Sequence, residues 1–328
     1  SNIFSMELHR FTAAIEDIIN EAVQEAKIEN ELAKIDAAWR NNALSVVKYK
    51  KDGQDRGFTL RAADDLKLEL EDNMLNLQTI SGSRFVAAFV DRVRKWEKTL
   101  NLVSECLETW FTVQKKWVYL EGIFIGAEDI RQQLPEEAKR FDAIDKLYKT
   151  IMTATSKNPN VVDACSTDNR LQTLTALSER LDSCQKSLSD YLDTKRSSFP
   201  RFFFISDDEL LSVLGNSDPS SIQVHLLKLF DNVKEMQFTR GNKAVEGMSS
   251  VEKEGFTCRN AVTIDGPVES WMTACEDEMH SSLKDITKEG VFIYAKHDRT
   301  EWLKIVLGMV GLVGSQIWWT WEVEDTFR

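Results

Sequence analysis

Apolar positions along the chain recur mostly at helical spacing. Phe11, Ile15, Ile18 and Ala22 lie three or four residues apart, as do Leu32, Ile35 and Trp39. This predicts one amphipathic helix over residues 5–40, stopping at Asn41-Asn42. Two short strand-like runs follow, Val46–Lys50 and Gly57–Leu60, on either side of Asp52-Gly53, which reads as a β-hairpin. Leu66, Leu70, Met74 and Leu77 share one face of a shorter helix, broken at Ser81-Gly82-Ser83.

The strongest pattern comes next. Phe89, Val93, Trp96, Leu100, Val103, Leu107, Trp110, Gln114 and Trp117 alternate at spacings of four and three. That is a heptad seam on a helix from about 83 to 121, roughly 60 Å long at ~1.5 Å per residue. A helix of that length reads as a beam crossing more than one bundle. The plainer alternative is a coiled-coil dimer. Trp at three seam positions is bulky for two strands and favours burial within a bundle.

Further helices are predicted over 135–153, with Ala138, Phe141, Ile144, Tyr148 and Ile151 inward, and from Leu171 to Lys195-Arg196. Asn158-Pro159-Asn160 reads as a turn, and Phe199–Ile205 as extended and apolar. Ser206 followed by Glu209 is a capping box opening a helix that stops at Gly215. Ser220–Phe230 reads as helix. Lys234–Phe238 and Phe256–Ile264 read as strands in the glycine-bearing stretch 239–267. Helices then follow over 268–287 and 300–327.

Composition supports this picture. Among 328 residues there are only 14 Gly and 5 Pro, against roughly 23 and 16 at average usage. Few turns are needed, so long helices dominate. Five of the glycines lie in residues 1–200 and nine in 201–328, so the later part should be more broken. The expected class is mainly α with one or two small β-hairpins, in segments 1–125, 126–235 and 236–328.

Charge and chemistry then exclude several function classes. The net charge of −12 disfavours nonspecific binding to nucleic acid or anionic lipid. The five Cys form no CxxC, no N-x-S/T site occurs and no signal peptide is seen, which together fit a reduced intracellular setting. His9, His225, His280 and His297 are isolated, expected to be solvated or capping, and have no zinc spacing. Asp207-Asp208-Glu209 follows Ser206 and reads as a helix N-terminus rather than a carboxylate pair. Cys106 and Cys184 read as core thiols. No phosphate-binding glycine motif is present around Gly241-Asn242-Lys243. Residues 305–321 carry no charge and end in tryptophans. At 17 residues, with Gly308, Gly311 and Gly314 inside and acids following, the run reads as two packed helices joined near Gly311–Gly314, both buried, and not as a membrane span. Composition and spacing leave scaffold, adaptor and mechanical lever equally open.

Several runs together resemble dynein heavy chains. One is Trp117-Val-Tyr119-Leu120-Glu-Gly-Ile-Phe124, continuing through Asp129–Pro135. Another is Cys184-Gln185-Lys-Ser-Leu188 leading to Phe199-Pro200-Arg201-Phe202-Phe-Phe-Ile-Ser-Asp-Asp-Glu-Leu-Leu211. The last is Gln316-Ile-Trp318-Trp319-Thr320. The resemblance implies the linker region: an elongated arch of consecutive helical bundles lying across a ring of six AAA+ modules, bending and straightening as the ring turns over ATP. It implies no catalytic, cofactor or metal site within this stretch. ATP and magnesium would bind the ring of the parent chain, with one more linker bundle expected beyond Arg328. Implied partners are that ring, microtubules, and dynein intermediate and light chains, without nucleic acid or membrane. The implied location is the cytoplasm and cytoskeleton, within a ciliary or flagellar axoneme. The Gln316–Thr320 wording looks closest to outer-arm chains. A hinge is expected near 120–130 (Gly122, Gly126) or 155–165. The 46–60 hairpin is either a ring-contacting surface or edge decoration, and a helical scaffold or adaptor module remains the alternative function.

Overall fold

The computed structural model describes residues 8–51, 53–125, 128–216 and 218–328. The chain is mainly helical with two small antiparallel sheets. It divides into two compact units, one of Ser1–Phe124 with Pro135–Gln185, the other of Ile125–Leu134 with Lys186–Arg328.

The first unit begins with a 3-10 turn, Leu8–Phe11, and helix α1 (Thr12–Asn41). Only Ile28, Leu32, Ile35 and Trp39 of α1 are buried. The expected inward face at Phe11 and Ile18 is exposed, because the packed neighbours cover only the later turns. Strands β1 (Val46–Lys51) and β2 (Gln54–Leu60) pair in register Val46↔Leu60 to Tyr49↔Gly57, then slip by a bulge. Gly57 sits at that bulge with φ +112°, a conformation side chains resist.

Helix α2 (Asp64–Ser81) leads through a 3-10 turn to α3 (Val90–Phe124). The seam of α3 is filled by α2 and by two later helices of the same chain, α5 (Pro135–Lys157) and α6 (Val161–Ser166). Its polar member is explained: the Gln114 amide accepts from Leu60 N at 2.7 Å and donates to Leu60 O at 2.8 Å, so it serves as a ladder partner for β2. α6 is a helix too short to register as a period. Asn160 caps it by accepting from Asp163 N, and its Nδ2 donates to Arg40 O. Helix α7 (Arg170–Ser198) gives its residues up to Gln185 to this unit.

The second unit holds α4 (Glu128–Gln133) and the remainder of α7. Residues 200–204 are a 3-10 turn, not extended: Pro200 fits the first helical position, and Phe199 and Phe202, three apart, both point into the core. α8 (Asp207–Leu214) carries the expected capping box. Residues 219–225 are 3-10 and only Leu226–Leu229 (α9) is α-helical, where one longer helix was expected. Three strands, β3 (Val233–Phe238), β4 (Ala244–Ser250) and β5 (Gly255–Thr263), form a sheet in that order. β4 escapes the sequence pattern because Gly247 interrupts it. That glycine is required by close approach, since a Cβ there would lie 2.5 Å from Phe256 O.

Helix α10 (Val268–Tyr294) runs a turn and more beyond its expected end, followed by α11 (Arg299–Ile305) and α12 (Gly308–Thr326). Among the described residues no helix is long and apolar enough to cross a membrane. The join lies at Val306-Leu307, both extended, rather than near Gly311–Gly314. Gly314 lies inside α12 with its Cα against the Trp302 ring, and a Cβ there would sit 2.8 Å from that ring. Only one face of α12 is covered. Leu312, Trp319 and Trp321 are exposed, so the expectation of full burial is corrected.

Candidate functional site

The residues of the Trp117 motif converge at the end of α3. Trp117 is fully buried, donates Nε1–H to Asp145 Oδ1 at 3.0 Å and stacks on Tyr148 at 4.5 Å between centroids. Tyr49 of the hairpin meets its edge at 5.5 Å. Leu120 and Phe124 continue the buried face, with Phe124 stacked on Phe141 at 5.4 Å, while Tyr119 lies half-buried beside it. Burial pushes the Tyr148 phenol well above its ordinary range, so it stays a neutral donor to Gln114.

A further residue belongs here. Glu121 is 1% exposed, with Arg56 Nε at 3.6 Å and the Tyr49 hydroxyl donating at 3.4 Å. Neither Glu121 Oε1 nor Arg56 Nε has a hydrogen-bond partner, so the two hold each other by charge across the hairpin. The signal was in the sequence: the seam spacing continues from Trp117 to 121 and 124, placing a carboxylate on the apolar face.

The second motif run is anchored differently. Cys184 is buried and its thiol is pushed up by desolvation, while Gln185 faces solvent. Phe199 and Phe202 meet edge-to-face at 4.9 Å in the core, and Pro200 is exposed. Arg201 ties the turn down. Its Nε donates to Glu276 at 2.8 Å, its Nη1 to Leu229 O at 3.0 Å, and its guanidinium lies over Phe230. Trp318 donates to Val291 O at 2.9 Å and stacks on Tyr294, whereas Trp319 is exposed. The motif residues therefore form separate anchoring clusters, not one reacting centre.

Glu209 closes the capping box and accepts from Lys228 Nζ at 2.5 Å; that ammonium and the Ser206 amide hold its carboxyl down to about 2. His225 is buried at 3.6 Å from Glu209 rather than solvated. All five cysteines are free and buried. The Cys106 thiol is hydrogen-bonded to Cys165, which, with burial, drives the Cys165 thiol far up. Among the described residues no group of three or more His, Cys, Asp or Glu is placed to hold a metal. The second unit contains a polar cleft of about 470 Å³, lined by Gln132, Gln133, Lys195, Asn242, Glu269 and Trp271. In it Lys195 Nζ and Glu269 Oε1 pair at 2.5 Å.

What these features define is a helical structural module whose distinctive residues brace elements against one another. The chain matches the family described as Dynein heavy chain, N-terminal region 2, over residues 1–290. It is 57% identical over its whole length to the Dynein-1-alpha heavy chain, flagellar inner arm I1 complex, of Chlamydomonas reinhardtii. It is 50% identical, again over its whole length, to Dynein axonemal heavy chain 10 of Homo sapiens. Over 99% of the chain it is 37% identical to the Dynein beta chain, flagellar outer arm, of Chlamydomonas reinhardtii. It spans 7% of the length of each of these relatives. The chain belongs to the dynein heavy chain family, as part of the N-terminal region of an axonemal heavy chain.

Proposed function

We propose that this region is the mechanical linker of an axonemal dynein, a lever that changes shape and position over the AAA+ ring of its parent chain during the ATP cycle and so drives movement along microtubules. The observation that carries the reading is α3. A helix of 35 residues, buried along one face from Val93 to Phe124 and braced at its end by Trp117, Asp145, Tyr148 and the Glu121–Arg56 pair, is stiff where a lever must transmit force. Catalysis belongs to the parent, with ATP and magnesium in its ring, and none to this stretch. The parent's further partners would be dynein intermediate and light chains. The identity of 57% to an inner-arm chain, against 37% to an outer-arm chain, favours an inner-arm assignment over the outer-arm one read from Gln316–Thr320.

Of the two expected hinges, 155–165 is tied to Arg40 by the Asn160 side chain and to Asn42 by the Val161 amide. Within 120–130, residues 120–124 belong to the braced end of α3, so the flexure is proposed just beyond it, where a unit boundary falls after Phe124; Gly126 lies outside the described residues. The test is fluorescence transfer between a dye on this region and one on the ring of the parent heavy chain. A nucleotide-dependent change of distance is expected. A distance unaltered by ATP, ADP and vanadate would favour the static scaffold or adaptor instead.

A further inference from the structure

The polar cleft of the second unit holds an ion pair that is only half satisfied. Glu269 is 7% exposed and accepts from Lys195 Nζ at 2.5 Å through Oε1. Its Oε2 is buried and has no hydrogen-bond partner among the described residues. A carboxylate taken out of water is stable only when its remaining lone pairs also find donors. Lys195 is held on the other oxygen. Its ammonium lies over the Tyr191 ring, 5.3 Å from the centroid, and the Tyr191 hydroxyl donates to Gln133.

Glu269 lines a cleft of about 470 Å³, a volume within the ~300–1,000 Å³ of small-molecule sites. Glu269 also stands in the first turn of α10. Pro267, at the cap position, makes no side-chain cap to that 27-residue helix, so its first amides are left to an acceptor from outside. Pro267 and Val268 border the same cleft. One space is therefore bordered by a single unpaired acceptor and by a set of backbone donors. Ile222, Ile264 and Trp271 add an apolar wall.

Charge selects the ligand class. Lys195 already neutralises Glu269, so a cation seeking Oε2 would meet an ammonium at the same carboxylate. An anion would meet the lone pair of Oε2 itself. A neutral group with an N–H donor beside a carbonyl acceptor suits both borders and adds no charge. We propose that this cleft binds a small neutral amide, its N–H donating to Glu269 Oε2, its carbonyl accepting from the first turn of α10, and its apolar part against Trp271. The lever reading does not require such a site, and the site does not require the lever.

The test titrates the full heavy chain with nicotinamide, nicotinate and pyridylmethylamine, which share one ring and differ in the group they present. Binding is read by saturation-transfer nuclear magnetic resonance. Nicotinamide should bind, with the acid and the amine at least tenfold weaker. Glu269→Gln keeps an oxygen for Lys195 and replaces Oε2 by an amide donor. It should weaken nicotinamide about tenfold and strengthen nicotinate by a similar factor. That gain is one a misfolded variant would not show. Gln132→Trp, on the exposed wall of the cleft, should also weaken nicotinamide while circular dichroism stays unchanged. No saturation of nicotinamide by the wild type, or equal binding of the three probes, overturns the assignment. So does nicotinamide binding that neither variant alters. A preference for the amine overturns the neutral class in favour of a cation.

Discussion

Glu121 shows how one side chain sets the behaviour of its neighbours. A buried carboxylate is costly alone, and here Arg56 lies 3.6 Å from Glu121 while the Tyr49 hydroxyl donates to it. Glu121→Ala should cost about 3 kcal/mol, because Arg56 is left without its partner. Chemical denaturation of the variant checks this. Glu209 gives a pH signature. Its folded pKa is depressed to about 2, so its contribution is present above the ordinary carboxylate range, near 4.5, and is lost as pH falls toward 2. Glu209→Gln should flatten the acid side of the stability curve within that window. Burial predicts inertness for the thiols it pushes up, Cys106 being the exception because its hydrogen bond with Cys165 lowers it. With Cys275 pushed to about 12 by burial, and Cys165 and Cys184 also raised, labelling of the native protein at neutral pH should be at least tenfold slower than after unfolding.

At the scale of elements, the seam of α3 was legible because nine positions repeat one spacing. The three tryptophans pointed to burial within a bundle rather than a second chain, but which helices would supply it, α2, α5 and α6, was not legible, since the spacing names no partner. The segment 200–204 reads as extended from sequence because an apolar run carries no period; Pro200 and the Phe199–Phe202 spacing make it a 3-10 turn. The capping box was readable from Ser206 and Glu209 alone, since its geometry is local. Ser206→Ala should cost about 1 kcal/mol. In α12 the glycines are packing devices. Gly314→Ala should destabilise the packing of α12 on α11 by about 1–3 kcal/mol, because the Trp302 ring of α11 is fixed by its bond to Gly290 O. Tyr294, stacked on Trp318 and edge-to-face with Trp302, offers a near-ultraviolet circular dichroism signal for that change.

For the whole molecule, two compact units predict separable responses. Glu121→Ala should lower the melting of the first unit by roughly 6–12 °C, and Gly314→Ala that of the second, each leaving the other transition in place in a calorimetric scan. One transition shifted by both variants would show a single cooperative body. The acidic charge and the apolar outer face of α12 are likewise properties of the whole, visible in composition but not in position.

The sequence by itself determined what depends on neighbours along the chain. That includes the helical class, the β1–β2 hairpin, the capped start of α8, and family membership through the 117–124 and 184–211 runs. The tertiary structure decided what depends on residues far apart. It chose which face of each helix is covered, paired Glu121 with Arg56 and Gln114 with Leu60, and left Phe203 and Phe204 outside. The physical reason is that periodicity and capping are set within one or two turns of helix. Burial and charge pairing are set by which surfaces meet, and no local spacing encodes that.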